Sequence, residues 1–149
     1  MLMPTKILVP TDFSEYSDRA LEQALDIAKQ YHAKVFLLNV IPEETHHPAA
    51  FDFGISEEVW QKIKDRHFAE TKEKLRNQID KFSQAKDVEV VTNIRLGVSY
   101  DEILKEGKEK EADLIVIASL GKAGIAKYLI GSVARNVLKG SKCPVLLTK

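Results

Sequence analysis

Apolar positions along this chain fall into two patterns that alternate from one end to the other. Compact β-branched or aliphatic runs, such as Lys6-Ile7-Leu8-Val9, read as strands covered on both faces. Between them apolar residues return every three or four positions, as in Ala20, Leu21, Ala24, Leu25, Ala28 and Tyr31, the period of a helix packed on one side. The first strand ends at Pro10, and Thr11, Asp12 and Ser14 supply capping chemistry for the helix that follows. Val35 to Val40 predicts a second strand, closed by Ile41-Pro42. Residues 43 to 56 have no period and read as a surface loop, with Phe51 and Phe53 as anchors.

Ser56 with Glu57 and Glu58 then opens a long helix whose apolar stripe is Val59, Ile63, Phe68, Leu75, Ile79 and Phe82. Val88 to Leu96 predicts a third strand, broken by Gly97. Ser99-Tyr100-Asp101-Glu102 has the form of a capping box, opening a helix that runs to about residue 111. Leu114 to Ile117 is a fourth strand, and Cys143-Pro144-Val145-Leu146-Leu147 a fifth, after a helix closed at Gly140. Strands joined by helices throughout predict an α/β fold: one domain, residues 1–149, with a five-stranded parallel sheet and helices on both faces.

The segment between the fourth and fifth strands carries the candidate chemistry. Ala118-Ser119-Leu120-Gly121 is followed by nine residues and then by Gly131-Ser132, where a helix begins. Small residues there let backbone N–H groups approach a ligand, and the helix start aims free N–H groups and a positive dipole end at the same place. Phosphates bind at such termini. If the first and fourth strands are neighbours, their C-terminal ends form the crevice where ligands bind in open α/β sheets. Pro10, Thr11 and Asp12 then face Ala118 to Gly121, making a nucleotide-sized site from two loops.

Composition narrows the partners. Lys+Arg 22 balances Asp+Glu 22, so no electrostatic case exists for nucleic acid. No apolar run approaches the roughly 18 residues that span a bilayer, and the N-terminus lacks the form of a secretory signal. Cys143 is the single cysteine, so neither an internal disulfide nor a cysteine zinc site is expected, and a cytoplasmic location follows. Its apolar neighbours predict a buried, inert thiol. Neither G-x-x-x-x-G-K-[ST] nor G-x-G-x-x-G occurs, which excludes a P-loop or dehydrogenase fingerprint. His46 and His47, with Glu43, Glu44 and Asp52 nearby, read as a solvated loop in place of a metal site. No catalytic constellation emerges.

Across its length the chain resembles the universal stress protein family. The family's nucleotide-binding members carry G-x2-G-x9-G-[S/T] after the fourth strand, and Ala118, Gly121, Gly131 and Ser132 stand at those positions. Lys6-Ile-Leu-Val-Pro-Thr-Asp-Phe-Ser14 resembles the family's first strand and aspartate-bearing loop, and the endings Gly131-Ser-Val-Ala and Cys143-Pro-Val-Leu-Leu also fit. The resemblance implies a Rossmann-like fold of the adenine nucleotide alpha hydrolase type. It implies ATP, or ADP or AMP, with or without Mg²⁺, bound by a cytoplasmic stress-response homodimer joined through the last strand. Carried over by position, Pro10, Thr11 and Asp12 line the adenosine end, and Val40 meets the base. Ala118, Ser119 and Gly121 border the ribose and phosphates. Gly131, Ser132, Val133 and Ala134 present N–H groups to the phosphate chain, with Lys122 or Lys127 adding charge. Two departures stand out: Ala118 replaces the motif's first glycine, and Ala134 replaces a frequent hydroxyl residue. Two other readings remain open, an interaction module of this fold that binds no nucleotide and a slow ATPase.

Overall fold

A computed structural model describes residues 2–42, 54–121 and 129–149. The loop anchors Phe51 and Phe53, the pair His46 and His47 with their acidic neighbours, and Lys122 and Lys127 lie outside the described residues. In chain order the elements are β1 (Lys6–Pro10), α1 (Glu15–Tyr31), β2 (Lys34–Pro42), α2 (Glu57–Asp80), a 3₁₀ turn (Ser83–Asp87) and β3 (Val90–Gly97). They continue with α3 (Ser99–Glu109), β4 (Leu114–Ala118), α4 (Ser132–Gly140) and β5 (Val145–Thr148). The five strands form one parallel sheet in the order β3-β2-β1-β4-β5.

The compact apolar runs are explained by two cores. Ile7, Val9, Val35, Leu37, Leu114 and Val116 pack with α1 and with Leu75 of α2. Their sequence neighbours Leu8, Phe36, Leu38, Ile115 and Ile117 point the other way, onto Ile103 of α3 and Ala134 and Val137 of α4. Successive strand residues face opposite sides, so a sheet covered twice needs no polar alternation. The α/β fold, the parallel sheet and its five strands follow the pattern legible in the chain.

Several local expectations shift. Ser14 and Ser56 cap α1 and α2, accepting hydrogen bonds from Ser17 N and Val59 N. The capping box at Ser99 does not form. Val98 occupies the cap position without a side-chain bond, and Glu102 instead accepts from Arg95 Nε at 2.8 Å. A guanidinium is the stronger donor to a carboxylate than a backbone N–H. The stripe of α2 holds only in its second half: Leu75 is buried, whereas Val59 and Ile63 are exposed. Thr71 and Gln78, which the pattern leaves out, are buried there. Cys143 is half-buried, its Sγ 3.5 Å from Ser141 Oγ. At the end of the sheet away from the strand C-termini, Asp113 accepts from Thr5 N, Thr5 Oγ1 and Lys6 N, tying β1 to the start of β4.

Candidate functional site

With β1 paired to both β2 and β4, the C-terminal ends of the central strands open into a crevice of about 320 Å³. The chain leaves β1 toward α1 on one side and β4 toward α4 on the other, which is why the two loops part here. Pro10, Thr11, Asp12, Val40, Ala118, Ser119, Gly121, Gly131, Ser132, Val133 and Ala134 all line it. Residues that the sequence reading missed complete the wall: Ser17, Leu38, Asn39, Ser99, Ile103, Ile117 and Leu120. Ser99 and Ile103 come from α3, whose start follows Gly97 at the end of β3. The available signal was positional, since every strand of a parallel sheet delivers its C-terminal residues to the same side.

On the β1 side, Thr11 is held at every polar group. Its N–H donates to Leu38 O at 2.8 Å, and its carbonyl accepts from Asn39 Nδ2 at 2.8 Å. Its hydroxyl contacts Gln78 Oε1 at 2.9 Å and accepts from Phe13 N at 3.0 Å. Thr11 therefore lines the crevice as support, with its hydrogen-bonding capacity engaged inside the protein. Asp12 Oδ1 accepts from Ser14 N at 3.0 Å, so the carboxylate is fixed across the turn into α1. Phe13 has a φ of 65°, a left-handed conformation that a residue with a Cβ adopts at a penalty of about 1–2 kcal/mol. The turn Thr11–Phe13 is strained and is held in place by its hydrogen bonds.

The opposite wall is built on two close approaches. A Cβ added at Gly121 would stand 2.7 Å from Asp12 Oδ2, so the motif's second small residue makes room for that carboxylate. A Cβ added at Gly131 would stand 3.3 Å from Ser119 O, which Gly131 N itself meets at 2.7 Å. This bond pins the start of α4 onto the end of β4. Gly131 is the cap residue of α4 and makes no side-chain cap bond, so among the described residues no side-chain cap satisfies the first N–H groups of that helix. Leu38, Val40, Ile103 and Ile117 give the floor an apolar character. The lining thus combines a carboxylate, an apolar floor and a helix N-terminus.

The universal stress protein family model matches residues 3–149. The chain belongs to the universal stress protein family. Universal stress protein MJ0531 of Methanocaldococcus jannaschii is 35% identical over 144 residues, covering 97% of this chain and 81% of its own length. The solved structure of MJ0577, from the same organism, superposes with a TM-score of 0.82 at 32% identity. That match covers 99% of this chain and 97% of the other. A universal stress protein crystallised in complex with cAMP superposes with a TM-score of 0.69 at 26% identity, covering 98% of this chain and 97% of that one. Among the described residues of this family member, no helix is long and apolar enough to cross a membrane.

Proposed function

We propose that this universal stress protein binds an adenine nucleotide in the crevice between β1 and β4, with ATP, ADP and AMP as the candidate ligands. The observation that carries the reading is the start of α4, where Gly131 brings backbone N–H groups to the crevice without a side-chain cap. An anionic phosphate complements those donors and the helix dipole. The base takes the apolar slot at Val40, and the Asp12 carboxylate accepts hydrogen bonds from the adenine or the ribose. The relative crystallised with cAMP supports an adenine nucleotide as the class. Asp12 and Ser132, which both line the crevice, are the candidate ligands for Mg²⁺ arriving with the phosphates. A divalent ion there would neutralise phosphate charge.

The rest of the reading is regulatory. Family membership supports a stress-response role. A homodimer through β5 gives that edge strand a partner, as an exposed apolar edge needs. A cytoplasmic location accords with a lone cysteine.

Calorimetric titration of nucleotide-stripped protein with ATP, ADP and AMP, with and without Mg²⁺, tests the site. Micromolar binding that disappears in Gly131→Val is expected, because that side chain starts 3.3 Å from a backbone oxygen. No binding to any of the three would turn the reading to a protein-interaction module of the same fold. Turnover far above the protein-free rate, lost in Ser132→Ala, would make the protein an ATPase.

A further inference from the structure

Gln78 belongs to α2, a helix that contributes nothing to the crevice wall, yet it reaches the residue on which the β1 side of the crevice rests. It is 2% exposed, and a carboxamide buried that deeply needs partners for both of its ends. Its Nε2 donates to Asp18 Oδ1 at 2.8 Å, and Lys81 Nζ lies 2.9 Å from the other oxygen of that carboxylate. A carboxylate only accepts, so this contact fixes which way the amide faces and leaves Oε1 toward Thr11. An amide oxygen also only accepts, so the 2.9 Å contact is Thr11 Oγ1 donating to Gln78. Ser17 Oγ, 3.0 Å from the same hydroxyl, donates to Ser14 O at 2.8 Å.

The proton of Thr11 is thereby committed to α2, and a lone pair of its oxygen meets Phe13 N. Phe13 is the residue in the left-handed conformation. One hydroxyl thus joins a buried helix residue to the strained turn on which Asp12 sits. The 67 residues separating Thr11 from Gln78 make this a contact that only the folded chain creates.

We infer that Gln78 is a positioning residue of the nucleotide site. Acting through the Thr11 hydroxyl, it holds the Thr11–Phe13 turn so that the Asp12 carboxylate stands against Gly121, and it sets affinity for the nucleoside half of the ligand. The inference rests on the proposed nucleotide site but has a readout that does not. Gln78→Met keeps the length of the side chain and removes its hydrogen bonds to Thr11, Asp18 and Ser17. Thr11→Val keeps the shape of Thr11 and removes the hydroxyl, so it tests the link from its other end should Gln78→Met fold poorly.

Three quantities are measured for each variant: affinity for ATP, AMP and adenosine, the urea midpoint, and amide hydrogen exchange at Phe13 without ligand. The expected result is a roughly tenfold loss of affinity, equal for adenosine and ATP, with Phe13 exchanging faster than the change in global stability explains. The double variant should bind no more weakly than Thr11→Val alone, since the effect passes through that hydroxyl. A lowered urea midpoint with all affinities and Phe13 exchange otherwise unchanged would reduce Gln78 to a core polar residue and overturn the proposal. A loss confined to ATP would overturn it too, because it would place the effect at the phosphate end. Wild-type protein that binds none of the ligands would overturn the nucleotide reading. Phe13 exchange in Gln78→Met would then decide the hold on the turn alone, faster exchange supporting it and unchanged exchange refuting it.

Discussion

Single residues in this protein are constrained by the backbone and side-chain atoms they meet across the crevice. Gly121 and Gly131 are small for a steric reason: one faces the Asp12 carboxylate and the other a backbone oxygen. The two differ in what can move. A carboxylate is the end of a side chain and gives way, so Gly121→Ala should fold normally while displacing Asp12. We expect about a tenfold loss of nucleotide affinity, roughly 1.4 kcal/mol, with the urea midpoint nearly unchanged. Equal affinity for wild type and variant by titration calorimetry would show that Asp12 does not touch the ligand. Both glycines were legible in the chain as small residues at a loop. Which atom Gly121 makes room for was not, because Asp12 lies more than a hundred positions upstream of it.

Elements meet through contacts that sequence rules describe only in part. Gly140 was expected as a helix terminator, and it is the last residue of α4. Its second constraint is packing: a Cβ there would meet Leu104 Cδ1 of α3 at 2.6 Å. Gly140→Ala gains up to about 1 kcal/mol of helix propensity but overpacks that contact by about 1–3 kcal/mol. The net expectation is a lower urea midpoint, and a rise would show that Leu104 rotates away freely.

The link between β3 and α3 is electrostatic. Arg95, whose side chain is 17% exposed, meets Glu102, Glu106 and Glu109, with Glu106 fully buried and also accepting from Asn93 Nδ2. Hydrogen bonding to Glu109 and Glu102 holds the Arg95 guanidinium protonated beyond its usual range, against the opposing effect of burial. Arg95 in turn lowers the pKa of Glu102 below its ordinary 4.5, although burial acts the other way, and it lowers that of Glu109 as well. Depressed carboxylate pKa values contribute stability that is present above about pH 4.5 and lost as pH falls through the folded-state values. Arg95→Met should cost about 3 kcal/mol at pH 7, since it leaves the Glu106 carboxylate buried with fewer partners. It should also flatten the acid limb of stability. Urea midpoints from pH 7 to pH 3 check both; an unchanged acid limb would place the pH dependence elsewhere, at Asp113 for example. There burial raises the pKa, but hydrogen bonds from Thr5 and Lys6 lower it further.

At the scale of the whole molecule, the sheet has two edges and the helices cover two faces. β5 is one edge, apolar from Val145 to Leu147 and only half-buried. The proposed homodimer through this strand predicts twice the 16.8 kDa chain mass by sedimentation velocity at tens of micromolar. A monomer at that concentration would remove the proposal. The formal net charge of zero leaves such self-association without general repulsion to oppose it.

The amino-acid sequence by itself determined the elements, their type and their order, and with them the parallel sheet. Hydrophobic period, glycine punctuation and the capping serines Ser14 and Ser56 act within a few residues, so they are readable along the chain. It also marked the loops that carry the candidate site, because small residues before a helix start have a local reason. Only the tertiary structure decided that β1 lies beside β4, that α3 supplies Ser99 and Ile103 to the crevice, and that Gln78 reaches Thr11. Those depend on pairings between distant segments, chosen when two apolar faces and every buried polar group are satisfied together. Glu102 shows the same precedence, since a guanidinium seven positions away claims the carboxylate that the local pattern assigned to a helix cap.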